Sequence, residues 1–388
     1  FAASRTLDPR FTFQRVGPTS FVNESGKVVL VGENVPRFDH NPTTRESLGI
    51  LIEEARTNSW TYSQPTSSAV FGANGTVTYE AATAPNGKTE AFRLANNPAG
   101  SSNSYHRATR AITFGSDAMV LSVWAKGENN NNYFIWSFQN LGGAIVRAGF
   151  KLEGDGETSI ITNGNGGHTL QIQKYPDGWY RCIIIANTQS SGSTTQFLYT
   201  ASGYSESSSA TGGSTLLWGF QLEVGSFATS YIPTSSAAVT RGADLLRIMD
   251  DEFKDIFGDE FKEFTIVADY DNSDTVDGTI QALVDFWGES TGYTDRIEIF
   301  KDGDSPYHIE TRAISNNAGI FNNQAVTASS KAATQRFATS WSVDYTTPNA
   351  AHRRWAFSFS GEDVDVVGDN SSTTVPPLTR LGLGNTPT

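Results

Sequence analysis

The chain has 388 residues, of which 18% are charged and 38% hydrophobic, with 36 glycines and a net charge of −13. That length allows two or three cores, and few charges with abundant Gly, Ser, Thr and Asn favour short strands joined by turns over long helices. The negative balance repels phosphate backbones and anionic lipid, which argues against nucleic-acid and membrane-surface partners.

The N-terminal FAASRTLDPR has neither a signal-peptide core nor an initiator Met, so a fragment or processed product is expected. Extended pieces follow at FTFQRV (11–16) and KVVLVG (27–32), then the two-proline stretch VPRFDHNPTT (35–44) and LGILIEEARTN (48–58). The last has helical composition, but apolar residues directly after Gly49 and an end at Asn58 predict a strand, GILIEEA. Residues 1–60 are therefore read as an extended segment contributing strands to the sandwich that follows.

From 61 to 240 apolar and polar residues alternate in EAFRLAN (90–96), MVLSVWAKG (119–127), NYFIWSFQN (132–140), AGFKLEG (148–154), HTLQIQKYPDGWYRCIIIAN (168–187), TQFLYTAS (195–202) and TLLWGFQLEVG (215–225). Period-two runs at about ten-residue spacing, separated by Gly/Asn/Ser turns, predict an antiparallel two-sheet sandwich or jelly roll. RCIIIA (181–186) is too short to cross a bilayer, and no membrane insertion is expected. Cys182, the single cysteine, reads as a small buried strand residue.

A boundary is expected near 233–245, where Pro233 and a Ser/Ala run give way to TRGADLLRI. In DDEFKDIFGDEFKEF (250–264) phenylalanines fall at helical spacing until Gly258, which predicts one or two helical turns and then a strand, EFTIVADYD (263–271). Further alternation through RFATSWSVDY (336–345) and RRWAFSFSG (353–361) predicts a second sandwich over 241–388. The fold expected is all-β: two tandem antiparallel β-sandwich domains of jelly-roll, concanavalin A-like type.

Chemistry is hard to place. Glu153, Asp155 and Glu157 have the E-x-D-x-E spacing that puts three acids on one face of a strand, but the intervening Gly154 and Gly156 predict a turn that splays them. The five histidines lie in no metal-ligand spacing, and G-x-S-x-G is absent. Asp269, Asp271 and Asp274 resemble a calcium loop, with the glycine late at 278 and Ile280 where Glu is required; a structural Ca²⁺ held by loop carbonyls stays open. Neither a catalytic set nor another metal is expected.

With 12% aromatic residues, a stacking platform for sugar rings is the remaining prospect. Tyr133, Trp136 and Asn140 beside the Asn129–Asn132 loop, or Trp179 and Tyr180 after the Pro-Asp-Gly turn, are the candidate ligand-binding residues. Taken singly, each Trp reads equally as core.

LDPRFTFQRVGPTSFVNESGKVVLVGENVPRFDHNP, SLGILIEEARTN and, far downstream, WGFQLEVGSFATSYIPTSSAAVTRGAD resemble bacteriophage virion proteins of the tail-fibre or capsid-appendage type with concanavalin A-like (LamG, jelly-roll) domains. The resemblance covers roughly residues 5–245, and residues 245–384 look like the second lectin-like sandwich that often follows, ending at LGLG before the closing strand. It implies a non-enzymatic virion structural protein on the particle surface, a homo-oligomer whose partners are other virion proteins and host surface glycans. The alternatives are a carbohydrate-binding module of a secreted polysaccharide-degrading enzyme and a glycoside hydrolase or lyase on a β-sandwich.

In the second motif Trp218, Phe220 and Leu222 are expected to alternate inward. Glu223 is expected to accept hydrogen bonds from amides or from an arginine such as Arg56, and SFATSYIPT to return across the domain as a cover plugged by Tyr231. Arg56, Glu223 and Tyr231 are thus read as structural.

Overall fold

The computed structural model describes residues 6–67, 71–74, 76–95, 107–114, 117–129, 131–141, 144–164, 167–186, 191–205, 213–258, 263–271, 281–287, 296–301, 308–315, 318–327, 334–344, 352–359, 365–369 and 380–383. The chain is all-β, as the alternation predicts, and forms several antiparallel sheets. Two compact units are present: one holds Val16–Leu51 and Ala55–Gly242, the other Thr6–Arg15, Ile52–Glu54 and Ala243–Thr388.

In chain order the strands begin with β1 (Thr12–Gln14), β2 (Thr19–Val22), β3 (Val28–Val31), β4 (Phe38–His40), β5 (Ser47–Ile50) and β6 (Arg56–Asn58). Next come β7 (Gly72–Asn74), β8 (Thr76–Thr83), β9 (Thr89–Ala95), β10 (Arg107–Phe114), β11 (Met119–Glu128), β12 (Tyr133–Leu141), β13 (Ala144–Lys151) and β14 (Glu157–Asn163). They are followed by β15 (His168–Lys174), β16 (Tyr180–Ala186), β17 (Gly192–Ala201), β18 (Ser214–Val224), β19 (Val239–Arg241) and β20 (Leu245–Met249).

Two six-stranded sheets build the first unit, one ordered β14-β13-β12-β17-β10-β7 and the other β15-β16-β11-β18-β9-β8. Phe134, Trp136 and Phe138 of the first sheet and Leu121, Val123, Cys182 and Ile184 of the second share one buried cluster. The period-two pattern thus delivers one face of each sheet to a common core. Cys182 is buried there, and desolvation pushes its thiol pKa well above the usual value.

The second sheet is also covered on its other face. Trp124, Trp218, Leu216, Trp179, Tyr175 and Tyr231 form a separate cluster there with Val22 and Val28 of the β2–β3 hairpin. Strand β18 carries the reason. Ser122 pairs with Gln221 but Trp124 pairs with Trp218, so β18 holds one extra residue, at Gly219 with φ 69°. This β-bulge reverses the alternation. Phe220 and Leu222 face the inter-sheet core as expected, whereas Trp218 turns to the outer cluster, which corrects its inward reading.

The N-terminal segment also departs from expectation. Strands β2 to β5 form separate hairpins, β2–β3 and β4–β5, outside the two large sheets, and β6 pairs with β19. β1 pairs with β20 in the second unit, Phe13 opposite Leu246. The GILIEEA strand is interrupted: β5 stops at Ile50 and β6 begins at Arg56. Between them Glu53 exchanges two backbone-directed bonds with Asp244, whose Oδ2 accepts from the Glu53 amide at 2.8 Å and whose amide donates to the Glu53 carbonyl at 2.8 Å.

The second unit continues with α1 (Asp250–Phe257), β21 (Glu263–Asp271), β22 (Gln281–Trp287), β23 (Arg296–Lys301), β24 (His308–Ser315) and β25 (Ala318–Thr327), then β26 (Thr334–Asp344), β27 (His352–Phe359), β28 (Asp365–Asp369) and β29 (Arg380–Leu383). One sheet is ordered β1-β20-β29-β22-β23-β24-β25 and another β21-β26-β27-β28. Helix α1 ends at Gly258 with φ 76°, and Phe253 and Phe257 meet the edge of Phe286 at 6.2 and 5.8 Å.

A Cβ at Gly219 would stand 2.9 Å from Cε3 of the Trp124 ring, at a positive φ that L-residues rarely adopt. Gly219→Ala is therefore expected to lower the unfolding free energy by about 1–3 kcal/mol, read from urea midpoints at constant m-value. An unchanged midpoint would show that the bulge tolerates a side chain.

Candidate functional site

The sequence offered two aromatic platforms, and strand geometry divides both. Along β12, Tyr133 lies on the outer face of its sheet, edge-on to Tyr204 at 5.0 Å, while Trp136 lies on the inner face with no exposure. Trp136 donates its indole N–H to Gln196 at 2.6 Å. The side chain of Asn140 lies outside the described residues. Asn131 of the adjoining loop is buried and donates to Thr200. Residues three apart in a strand point to opposite faces, so Tyr133 and Trp136 cannot stack on one ring.

The same rule separates Trp179 from Tyr180. Tyr180 enters the inter-sheet core and donates to the Gly154 carbonyl at 2.9 Å, whereas Trp179 joins the outer cluster. With Trp136 fully buried and Tyr180 3% exposed, neither serves as a sugar platform. Trp179 is 2% exposed but lines a small cleft of about 30 Å³ between three turns, with Lys27, Pro85, Tyr175, Pro176 and Asp177. Burial raises the Tyr175 pKa to about 12.

Acids and metals give the following picture. Gly154 and Gly156 both have positive φ, and Glu153 and Asp155 lie in the turn they form. Among the described residues no group of three or more His, Cys, Asp and Glu could hold a metal ion. The proposed calcium loop falls largely in 272–280, outside the described residues. One acid pair was missed. Asp285 and Glu298 stand directly opposite each other in β22 and β23, each 1% exposed, and Glu298 stands opposite Arg312 in β24. Directly opposed strand residues have Cβ atoms about 4.5–5.5 Å apart, so the two acids are neighbours on one face of the sheet. The signal was a lone acid at the centre of each apolar run, VDFW and IEIF.

The densest polar constellation joins the segment 56–63 to the segment 219–244. Asn58 is buried and makes four bonds: Nδ2 donates to the carbonyls of Phe220 (3.1 Å) and Ile232 (2.8 Å), and Oδ1 accepts from the amides of Leu222 (3.0 Å) and Trp60 (3.0 Å). Ser63 adds a bond to the Tyr231 hydroxyl at 2.7 Å, and Phe220 donates to the Ser63 carbonyl at 3.0 Å. Residues 226–234 thereby lie as a strap across the outer face of the second sheet, pinned by Gln221, whose Oε1 accepts from the Ile232 amide at 2.7 Å.

Glu223 is held within this strap. Its carboxyl accepts from the amide of Thr229 at 3.2 Å and from the Thr229 hydroxyl. The nearby cation is Arg181, which donates to Ser122 and to the Thr229 carbonyl at 3.0 and 2.7 Å and lies 4.6 Å over the Trp124 ring. Arg56, named for this role from the sequence, instead donates to the Val224 carbonyl and lies 5.0 Å over Phe227. Strand alternation explains the exchange: with Leu222 inward, Glu223 points to the outer face that Arg181, opposite Trp124, shares, while Arg56 lies beside the strand's end.

Buried arginines complete the set. Arg37 and Arg241 both donate to Ser230, at 2.7 and 2.8 Å, and Arg37 also reaches Thr19 and the Ser20 carbonyl. In the second unit Arg15 pairs with Asp244 at 3.2 Å with neither side chain exposed. No family model and no curated protein matches the chain.

Burial raises the Glu223 pKa above its ordinary 4.5, with the Thr229 and Gln221 bonds and Arg181 opposing. A folded pKa above the unfolded one means that the protonated carboxyl favours the fold. That stability is fully present below pH 4.5 and declines as pH rises through the folded pKa. Urea midpoints measured from pH 4 upward are expected to fall across that window, and Glu223→Gln to flatten the fall. A profile identical in both proteins would remove Glu223 from the pH dependence.

Proposed function

We propose that the chain is a non-enzymatic structural protein of a bacteriophage virion, a tail-fibre or capsid-appendage component, whose lectin-like units bind host surface glycans or neighbouring virion proteins. One observation carries the reading. The polar residues of the motifs on which the resemblance rests, namely Arg37, Asn58, Glu223, Ser230 and Arg241, are engaged inside the fold as struts. A chain whose buried polar residues fix its shape leaves specificity to its turns, where sequence can vary without loss of the scaffold. The net charge of −13 agrees with a particle surface facing neutral or cationic partners.

A homo-oligomer suits this role, since repeated weak glycan contacts gain strength through multivalency. A second reading, glycoside hydrolysis, is favoured by the Asp285–Glu298 pair alone.

The experiment is a glycan array and whole-cell binding with the full chain, alongside incubation with bacterial and algal polysaccharides. Binding without new reducing ends or unsaturated products is the expected result. Product formation that Asp285→Asn and Glu298→Gln both abolish would replace it with the hydrolase reading.

A further inference from the structure

Three turns meet at one end of the first unit: the β2–β3 turn with Gly26 and Lys27, the β8–β9 turn with Pro85 and Gly87, and the Tyr175–Trp179 turn between β15 and β16. They are tied together. Val28 donates to the Pro85 carbonyl at 3.1 Å, and Tyr175 and Trp179 close their own turn through an N–H···O=C bond of 2.8 Å. Asp177 and Gly178 hold φ 59° and 77°, and Asp177 is exposed. A side chain at Gly87 would stand 3.6 Å from the Lys27 ammonium, which places that cation at the rim.

Size and chemistry limit what enters. A volume of about 30 Å³ matches one water or one methyl group and excludes a pyranose ring, so a substituent enters while its ring stays outside. Pro85, Pro176 and the rings of Tyr175 and Trp179 make the walls apolar. Trp179 is 2% exposed, and its indole N–H, bonded to none of the described residues, keeps contact with solvent. Such a donor is available to an acceptor oxygen from outside the chain, in exchange for water. Lys27 offers a second donor at the mouth and Asp177 an acceptor.

An apolar methyl beside a carbonyl oxygen and an N–H is an acetamido group. We infer that the three-turn cleft binds the acetamido substituent of an N-acetylated sugar, with the methyl between Pro85, Pro176 and the two rings. The carbonyl oxygen takes the Trp179 indole N–H or the Lys27 ammonium, and the amide N–H or a ring hydroxyl goes to Asp177. This rests on the glycan-binding reading above and names the sugar class for it.

Saturation-transfer NMR on the full chain tests the assignment. The ligands are methyl glycosides of N-acetylglucosamine and N-acetylgalactosamine, set against glucosamine, galactosamine and glucose. The acetyl methyl is expected to receive the strongest saturation, and the sugars without it to show none at this cleft. Lys27→Ala and Asp177→Asn, both at exposed turn positions and the second keeping a residue that tolerates positive φ, are expected to weaken binding about tenfold each with unchanged melting temperature. Acetyl saturation that both variants leave intact, or no acetyl saturation while other glycans bind on the array, overturns the cleft and leaves the glycan reading standing. No glycan bound in either assay overturns both.

Discussion

The buried Asn58 amide is the most bonded link between the first unit's two halves of chain, beside the Ser63 bonds and the β6–β19 pairing. The bulge at Gly219 parts β18 from β9: residues 214–217 pair with β9, and beyond the bulge the edge is open. Asn58 closes it. Its side chain satisfies the Phe220 carbonyl and Leu222 amide on the strand and, on the other side, the Ile232 carbonyl of the strap. Without that amide those groups would be buried and unpaired, each costing about 1–3 kcal/mol.

The rest of the outer face follows from this closure. Once the strap is fixed, Tyr231 packs against Trp124 and Trp218 at 5.8 and 4.8 Å, and a sheet face that would otherwise be wet becomes a second core. Arg181, Glu223 and Gln221 are then buried with their partners under the strap, and Ser230 gathers Arg37 and Arg241. The three-turn cleft lies at one end of this scaffold, and there the Trp179 indole N–H bonds to none of the described residues. In the proposed reading the motif residues hold the frame and the turns would carry the specificity.

Much of this was legible in the sequence. Alternation located β9, β11 to β13 and β15 to β18 but not β7, β8, β10 or β14, the Phe spacing up to Gly258 located α1, and the Gly-flanked acids at 153–157 were rightly read as a turn. The association of EARTN with SFATSYIPT was visible as a pair of motifs. Its agent was misread because charge draws the eye to Arg56 and Glu223, whereas the bond-rich residue is the neutral Asn58. A bulge cannot be counted from one strand alone, so the outward turn of Trp218 was hidden. The aromatic platforms failed for a simpler reason: Tyr133 and Trp136 were grouped by proximity in sequence, without the face each occupies. Asp285 and Glu298 were missed because their pairing depends on the register of two strands, which composition does not specify.

Hydrogen exchange by mass spectrometry in Asn58→Ala, followed over peptides spanning 56–63 and 219–234, addresses the role of that amide most directly. Exchange in both peptides is expected to quicken by about 30- to 100-fold while peptides from β12 and β13 keep their protection. Unchanged exchange at the Leu222 and Ile232 amides would contradict the account, since the strap would then be held without Asn58.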